Sequence, residues 1–108
     1  MKKLLIFGIF LLSSSLYSQI EVKYFNAGWN AANDIVWVDE LSDCEIEKFD
    51  IGTKPADAGK FKVVVVPTII VFQDGEEAER YQADISFKMS ATKEEVQDYI
   101  DELIMSAF

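Results

Sequence analysis

Histidine is absent from this 108-residue chain, and cysteine occurs once, as Cys44. Without an imidazole or a second thiol, the chain cannot build a Ser-His or Cys-His nucleophile, a His-ligated zinc site or a cysteine cluster. No cofactor and no metal site is therefore expected. An intramolecular disulfide is also excluded, so Cys44 must stay free, be buried or pair with another molecule. Basic residues are scarce: 10 lysines and arginines face 19 acidic residues, a formal charge of −9. Phosphate backbones and anionic lipid are bound largely through lysine and arginine, so nucleic acid and membrane surfaces are poor partners for this surface.

No apolar run is long enough to cross a bilayer, which takes about 20 residues. The longest at the start, Leu4 to Leu12, follows Met1-Lys2-Lys3 and gives way to serines at 13, 14 and 15. A basic start, a short apolar stretch and a polar end are the layout of a secretory signal peptide. The expected boundaries are residues 1–18 for the signal, cut after Ser18, and 19–108 for one domain. The chain is thus expected to be exported, to the periplasm or beyond, with no stable membrane insertion once the signal is removed. Loss of two lysines with the signal moves the formal charge from −9 to −11.

Half of the chain is apolar and 13% is aromatic, ample for one core. Residues 20–26 (IEVKYFN) read as a strand. A helix is expected next, with Asn30 as N-cap, Asp34 in its first turn and Ile35, Val36, Val38 and Leu41 as its apolar positions, ending near Ser42. Residues 45–51 suit a partly exposed strand, and residues 53–62, with Pro55 and Gly59, a connector with a single helical turn. Residues 63–72 (VVVVPTIIVF) read as a strand buried on both faces, interrupted by Pro67. Gln73-Asp74-Gly75 marks a hairpin turn, with an antiparallel strand over residues 76–83. Thr92-Lys93-Glu94-Glu95 is a capping box opening a final helix whose apolar face is Val96, Tyr99, Ile100, Leu103 and Ile104.

Val66-Pro67-Thr68, the strand after it and Asp74-Gly75-Glu76 resemble the thioredoxin stretch in which a cis-proline opens a strand that runs into a hairpin. Residues 22–29 are similar to the family's strand and turn leading to its tryptophan, here Trp29. The resemblance covers nearly all of residues 20–108. It implies an α/β, thioredoxin-like fold, β-α-β then β-β-α around a four-stranded mixed sheet, lacking the family's first strand and helix. It also implies a loss, because the family's Cys-Gly-Pro-Cys is replaced by Asn30-Ala31-Ala32-Asn33. Dithiol exchange needs one cysteine to attack a disulfide and a second to resolve the adduct, and an asparagine amide does neither. Tyr24 stands where the family usually has a buried aspartate. Asn30 and Asn33 are expected to be structural, the alternative being contact with a partner.

What the resemblance leaves in place is polypeptide binding. In the family, the backbone of the residue before the cis-proline, here Val66, pairs with an extended polypeptide, and that needs no sulfur. The loop 84–91 is longer than usual in the family, and Ile85, Phe87 and Met89 alternate in it with polar residues. These three either tuck over the core or form an apolar contact surface with Trp29, Val66 and Pro67. Cys44, expected at the opposite end of the sheet, is read as an inert thiol, with an intermolecular disulfide as the alternative. The preferred expectation is a binding module for a protein or extended peptide, without enzymatic activity. The alternatives are thiol-disulfide exchange through Cys44 with a partner thiol, or a structural envelope subunit joined through the strand near residues 45–51.

Overall fold

The computed structural model describes residues 19–107; the expected signal segment, residues 1–18, lies outside them. Strand β1 (Ile20–Asn26) is the spine of the sheet. It pairs in parallel with β2 (Glu45–Asp50) on one side and antiparallel with β3 (Thr68–Gln73) on the other. Beyond β3 lies β4 (Glu76–Gln82), giving the order β2-β1-β3-β4. Asp74 and Gly75 both have positive φ, 52° and 86°, as the tight two-residue turn between β3 and β4 requires.

The two faces of β1 point into two cores. On one, Val22, Tyr24, Ile69 and Val71 meet Ile35, Val38 and Leu41 and the final helix α2 (Lys93–Ser106) through Val96 and Ile100. The Thr92 hydroxyl caps that helix, accepting from the Glu95 N–H at 3.1 Å. On the other face, Phe25, Ile70 and Phe72 pack against Val63, Val66, Phe49 and Phe61, beside the short helix α1 (Pro55–Lys60). Phe25 stacks on Phe49 with ring centroids 4.7 Å apart. Lys23 lies along this second face, its Nζ within 6 Å of the Phe49, Phe61 and Phe72 rings and 2.7 Å from Glu47. Where α1 does not reach, the face is thus closed by a charged side chain lying on aromatic rings rather than left as open apolar surface.

Two elements differ from the sequence reading. The helix expected from Asn30 to Ser42 is two 3-10 segments, Gly28–Asn33 and Val36–Glu40, with extended backbone at Asp34 and Ile35. A continuous α-helix would give the Ile35 N–H to the Ala31 carbonyl; here it donates to the Tyr24 hydroxyl at 2.8 Å. β-Branched Ile35, Val36 and Val38 add little helix propensity to resist that break. The strand expected over residues 63–72 begins only at Thr68. Before it, Val63 and Val66 are buried while Val64 is 84% exposed, so the valine run is an irregular segment without the period-two alternation of a half-buried strand.

Candidate functional site

Sheet register brings the family-like features to one end. Phe25 is opposite Thr68, and Thr68 is opposite Gln82, so the C-terminal end of β1, the start of β3 and the end of β4 are adjacent. Trp29 follows β1, Pro67 precedes β3, and the Ala83 N–H donates to the Pro67 carbonyl at 3.0 Å, so the loop 84–91 leaves from the same place. The Val66–Pro67 peptide bond is cis. Both side chains are buried, yet neither the N–H nor the carbonyl of Val66 has a hydrogen-bond partner among the described residues.

Asn30 is not an N-cap. That place belongs to Ala27, which makes no side-chain cap bond, and Asn30 lies within the first 3-10 segment at φ −110°, ψ 25°. Only 4% exposed, its amide donates to Asn26 Oδ1 at 3.0 Å and its Oδ1 accepts from Asn33 Nδ2 at 2.9 Å. The amides at the two positions that would carry sulfur therefore bond each other and tie the segment to β1. Asn26 reaches Asp34 Oδ1 at 3.4 Å, and the same oxygen accepts from the Tyr24 hydroxyl. Burial, and then the hydrogen bond to Asp34, push the Tyr24 phenol far above its ordinary range, so it stays protonated and donating. Among the described residues no buried side-chain nitrogen or oxygen lacks a partner, so this network is closed.

Tyr24, Asn26 and Asp34 were not legible as a group, because nothing in their spacing connects a strand tyrosine with an aspartate ten residues later. Tyr24, Asn26 and Asp34 also line an open cleft of about 310 Å³ with Ala27, Gly28 and Phe49.

Trp29 is 67% exposed and Ile85 is 98% exposed. Phe87 stands at 37%, with its ring centroid 5.4 Å from that of Trp29 in an edge-on contact. Met89 differs from its two companions: it is half-buried against the first core and belongs to the packing of the loop. It also lines a groove with Asn33, Val36, Trp37 and Phe87. Of the three alternating apolar residues, Ile85 and Phe87 thus face solvent, Phe87 against Trp29, and Met89 turns inward.

Cys44 precedes β2, and Glu45 is opposite Glu21, so the thiol lies at the far end of the sheet from Trp29, in a shallow cleft with Gln19, Ile20 and Asp43. Half-buried, it is pushed above the ordinary thiol range by burial and then by the Asp43 carboxylate. Both effects disfavour the thiolate, which is the nucleophilic form.

No protein-family model matches the chain. Over 42 residues it is 38% identical to thioredoxin from Mycobacterium bovis, 39% of this chain and 36% of that protein. Over 36 residues it is 44% identical to thioredoxin from Staphylococcus haemolyticus, covering 33% of this chain and 35% of that one. The chain thus spans about a third of the length of the curated relatives it matches. Among solved structures, a mutant thioredoxin from Halobacterium salinarum superposes with a TM-score of 0.63 over 80% of this chain and 75% of that one, at 23% identity. Thioredoxin 1 from Thermosipho africanus gives 0.61 over 81% and 97%, at 20% identity. Sheet order, the cis-proline turn and these likenesses establish a thioredoxin-like fold for the described chain.

Proposed function

We propose that this chain is an exported polypeptide-binding module that uses the thioredoxin fold without dithiol chemistry. It contacts an extended polypeptide through Trp29, the backbone of Val66 at the Pro67 turn, and the loop carrying Ile85 and Phe87. The observation that carries this reading is the solvent-facing group of Trp29, Phe87 and Ile85 at the end of the sheet where the cis-proline lies. Exposed large apolar side chains on one loop and the adjoining turn are what a contact surface needs. The N–H and carbonyl of Val66 have no partner among the described residues, but the residue is only 2% exposed, so main-chain pairing there needs a shift of the Pro67 turn. Export rests on the layout of residues 1–18. Cys44 gives thiol exchange no comparable support, since its environment favours the protonated thiol.

The test uses reduced, carbamidomethylated lysozyme, an unfolded polypeptide with no free thiol, as the probe. Wild-type protein and Cys44→Ser should bind it alike, with or without reductant. The double change Ile85→Ser, Phe87→Ser should weaken binding by roughly tenfold or more, as loss of central apolar anchors does, and leave the melting temperature nearly unchanged. Binding lost in Cys44→Ser but kept in the double variant would reverse the assignment.

A further inference from the structure

We infer that the partner is a cationic extended polypeptide carrying apolar side chains, and that Asp84 is the positioning residue that sets the surface it meets. The inference rests on the polypeptide-binding reading of the same edge, and adds the chemical class of the partner and the device that presents the contact residues.

The device is a five-residue loop closed on one carboxylate oxygen. Asp84 Oδ1 accepts from the Ser86 N–H at 2.8 Å, the Ser86 hydroxyl at 2.6 Å and the Lys88 N–H at 3.1 Å. The backbone closes the same ring, Asp84 N–H to Lys88 carbonyl at 2.9 Å and Phe87 N–H to Asp84 carbonyl at 3.0 Å. Inside it Phe87 adopts φ 67°, a conformation that bulky residues avoid. In this closed loop Ile85 stands at the tip and the Phe87 ring lies against Trp29.

A second carboxylate holds the other half of the surface. Asp50 Oδ1 accepts from the Gly28 N–H at 3.3 Å and the Gly52 N–H at 2.9 Å, fixing the turn that delivers Trp29. A Cβ at Gly52 would lie 3.1 Å from Asp50 Oδ1, so any side chain there would push on the carboxylate that holds this turn. The exposed aromatic pair is therefore flanked by two aspartates, each anchored through Oδ1, with Oδ2 making no hydrogen bond among the described residues.

Charge then selects the occupant. The chain carries −9 overall, and Lys48, on the Asp50 side, is already held by Asp39 at 2.6 Å. Lys88 is the one base within the loop itself. A cationic polypeptide is drawn to such a surface, and a guanidinium can lie on the exposed Trp29 ring while a neighbouring aliphatic side chain meets Ile85 and Phe87. An acidic polypeptide, or a second copy of this chain with its own −9, is repelled.

Three fluorescein-labelled twelve-residue peptides test this by fluorescence anisotropy: arginine alternating with leucine, glutamate alternating with leucine, and arginine alternating with serine. The first should bind the full domain roughly tenfold or more tighter than either of the others, with the advantage falling as salt is added. Asp84→Ala should weaken the first peptide by about tenfold, whereas Asp84→Asn, which keeps the Oδ1 acceptor, should stay within about threefold of wild type. Phe87→Gly relieves the positive φ while removing the ring; it should lose binding and keep its melting temperature, which covers the case in which Asp84→Ala folds poorly. Equal binding of the glutamate peptide, wild-type affinity in Asp84→Ala or Phe87→Gly, or equal losses in Asp84→Asn and Asp84→Ala would overturn the inference. If the glutamate peptide binds through Trp29 while the arginine peptides do not, polypeptide binding stands and the cationic assignment falls. If neither these peptides nor carbamidomethylated lysozyme binds, the binding reading itself falls.

Discussion

Insulin disulfides exposed to the folded domain and dithiothreitol should be reduced at the rate set by dithiothreitol alone. Catalysis of that exchange needs an attacking thiolate and a nearby resolving thiol, and this chain has one cysteine in all. The one present is a poor nucleophile: Cys44 is half-buried, beside Asp43, and at the other end of the sheet from the cis-proline turn. At positions 30 and 33 the amides bond each other, so this end of the molecule contains a closed polar network in place of a reactive pair. The double change Asn30→Cys, Asn33→Cys should create some activity, but slowly. Position 30 is only 4% exposed, and Tyr24, held protonated by burial and by Asp34, is no proton acceptor for an incoming thiol. Insulin turnover by the unaltered protein at the level of an ordinary dithiol enzyme, followed as the turbidity of the released chains, would refute the absence of dithiol chemistry.

Phe25→Ala should cost about 3–5 kcal/mol of folding stability. Phe25 is fully buried near the C-terminal end of β1, stacked on Phe49 and tilted against Phe61 at 5.3 Å. Truncation leaves a hole between a strand, an edge strand and the segment leading to Val66 and Pro67, none of which can collapse into it without breaking sheet pairing. Domains of this size are stable by roughly 5–15 kcal/mol, so the variant should be close to unfolding at ambient temperature. Urea denaturation measures the loss, with Ile85→Ala as the control expected to stay within about 0.5 kcal/mol because that side chain is 98% exposed. A loss under about 1 kcal/mol for Phe25→Ala would mean that the second core is not packed as described.

The strands were legible because their signals are local. Ile20–Asn26 and the final helix follow from β-branched content, the Asp74-Gly75 turn and the Thr92 cap. The first helix was over-read for a reason that sequence spacing cannot reveal: its amide at Ile35 is taken by a tyrosine hydroxyl from a strand eleven residues earlier. The valine run at 63–66 was over-read because valine scores as strand whether or not a neighbour pairs with it. There the Val63 N–H donates to the Ala58 carbonyl at 2.8 Å, and just before the run the Phe61 and Lys62 carbonyls accept from the Arg80 guanidinium at 2.8 and 2.9 Å. At the candidate site, Trp29 and Pro67 stood out by their resemblance to a known stretch, whereas Asp84 did not. Its role depends on three donors within four residues and on a backbone that folds back on itself, and composition carries no trace of that.

The most direct test of binding without dithiol chemistry is a titration of isotope-labelled protein with the arginine-leucine peptide, followed by backbone amide chemical shifts in the presence of reductant. The amides of Gly28, Trp29, Val66, Ile85 and Phe87 should move together and saturate, while those of Asp43, Cys44 and Glu45 stay still. Saturable shifts centred on Cys44, or no shift at the Trp29 edge at a peptide concentration that saturates binding by anisotropy, would contradict the account.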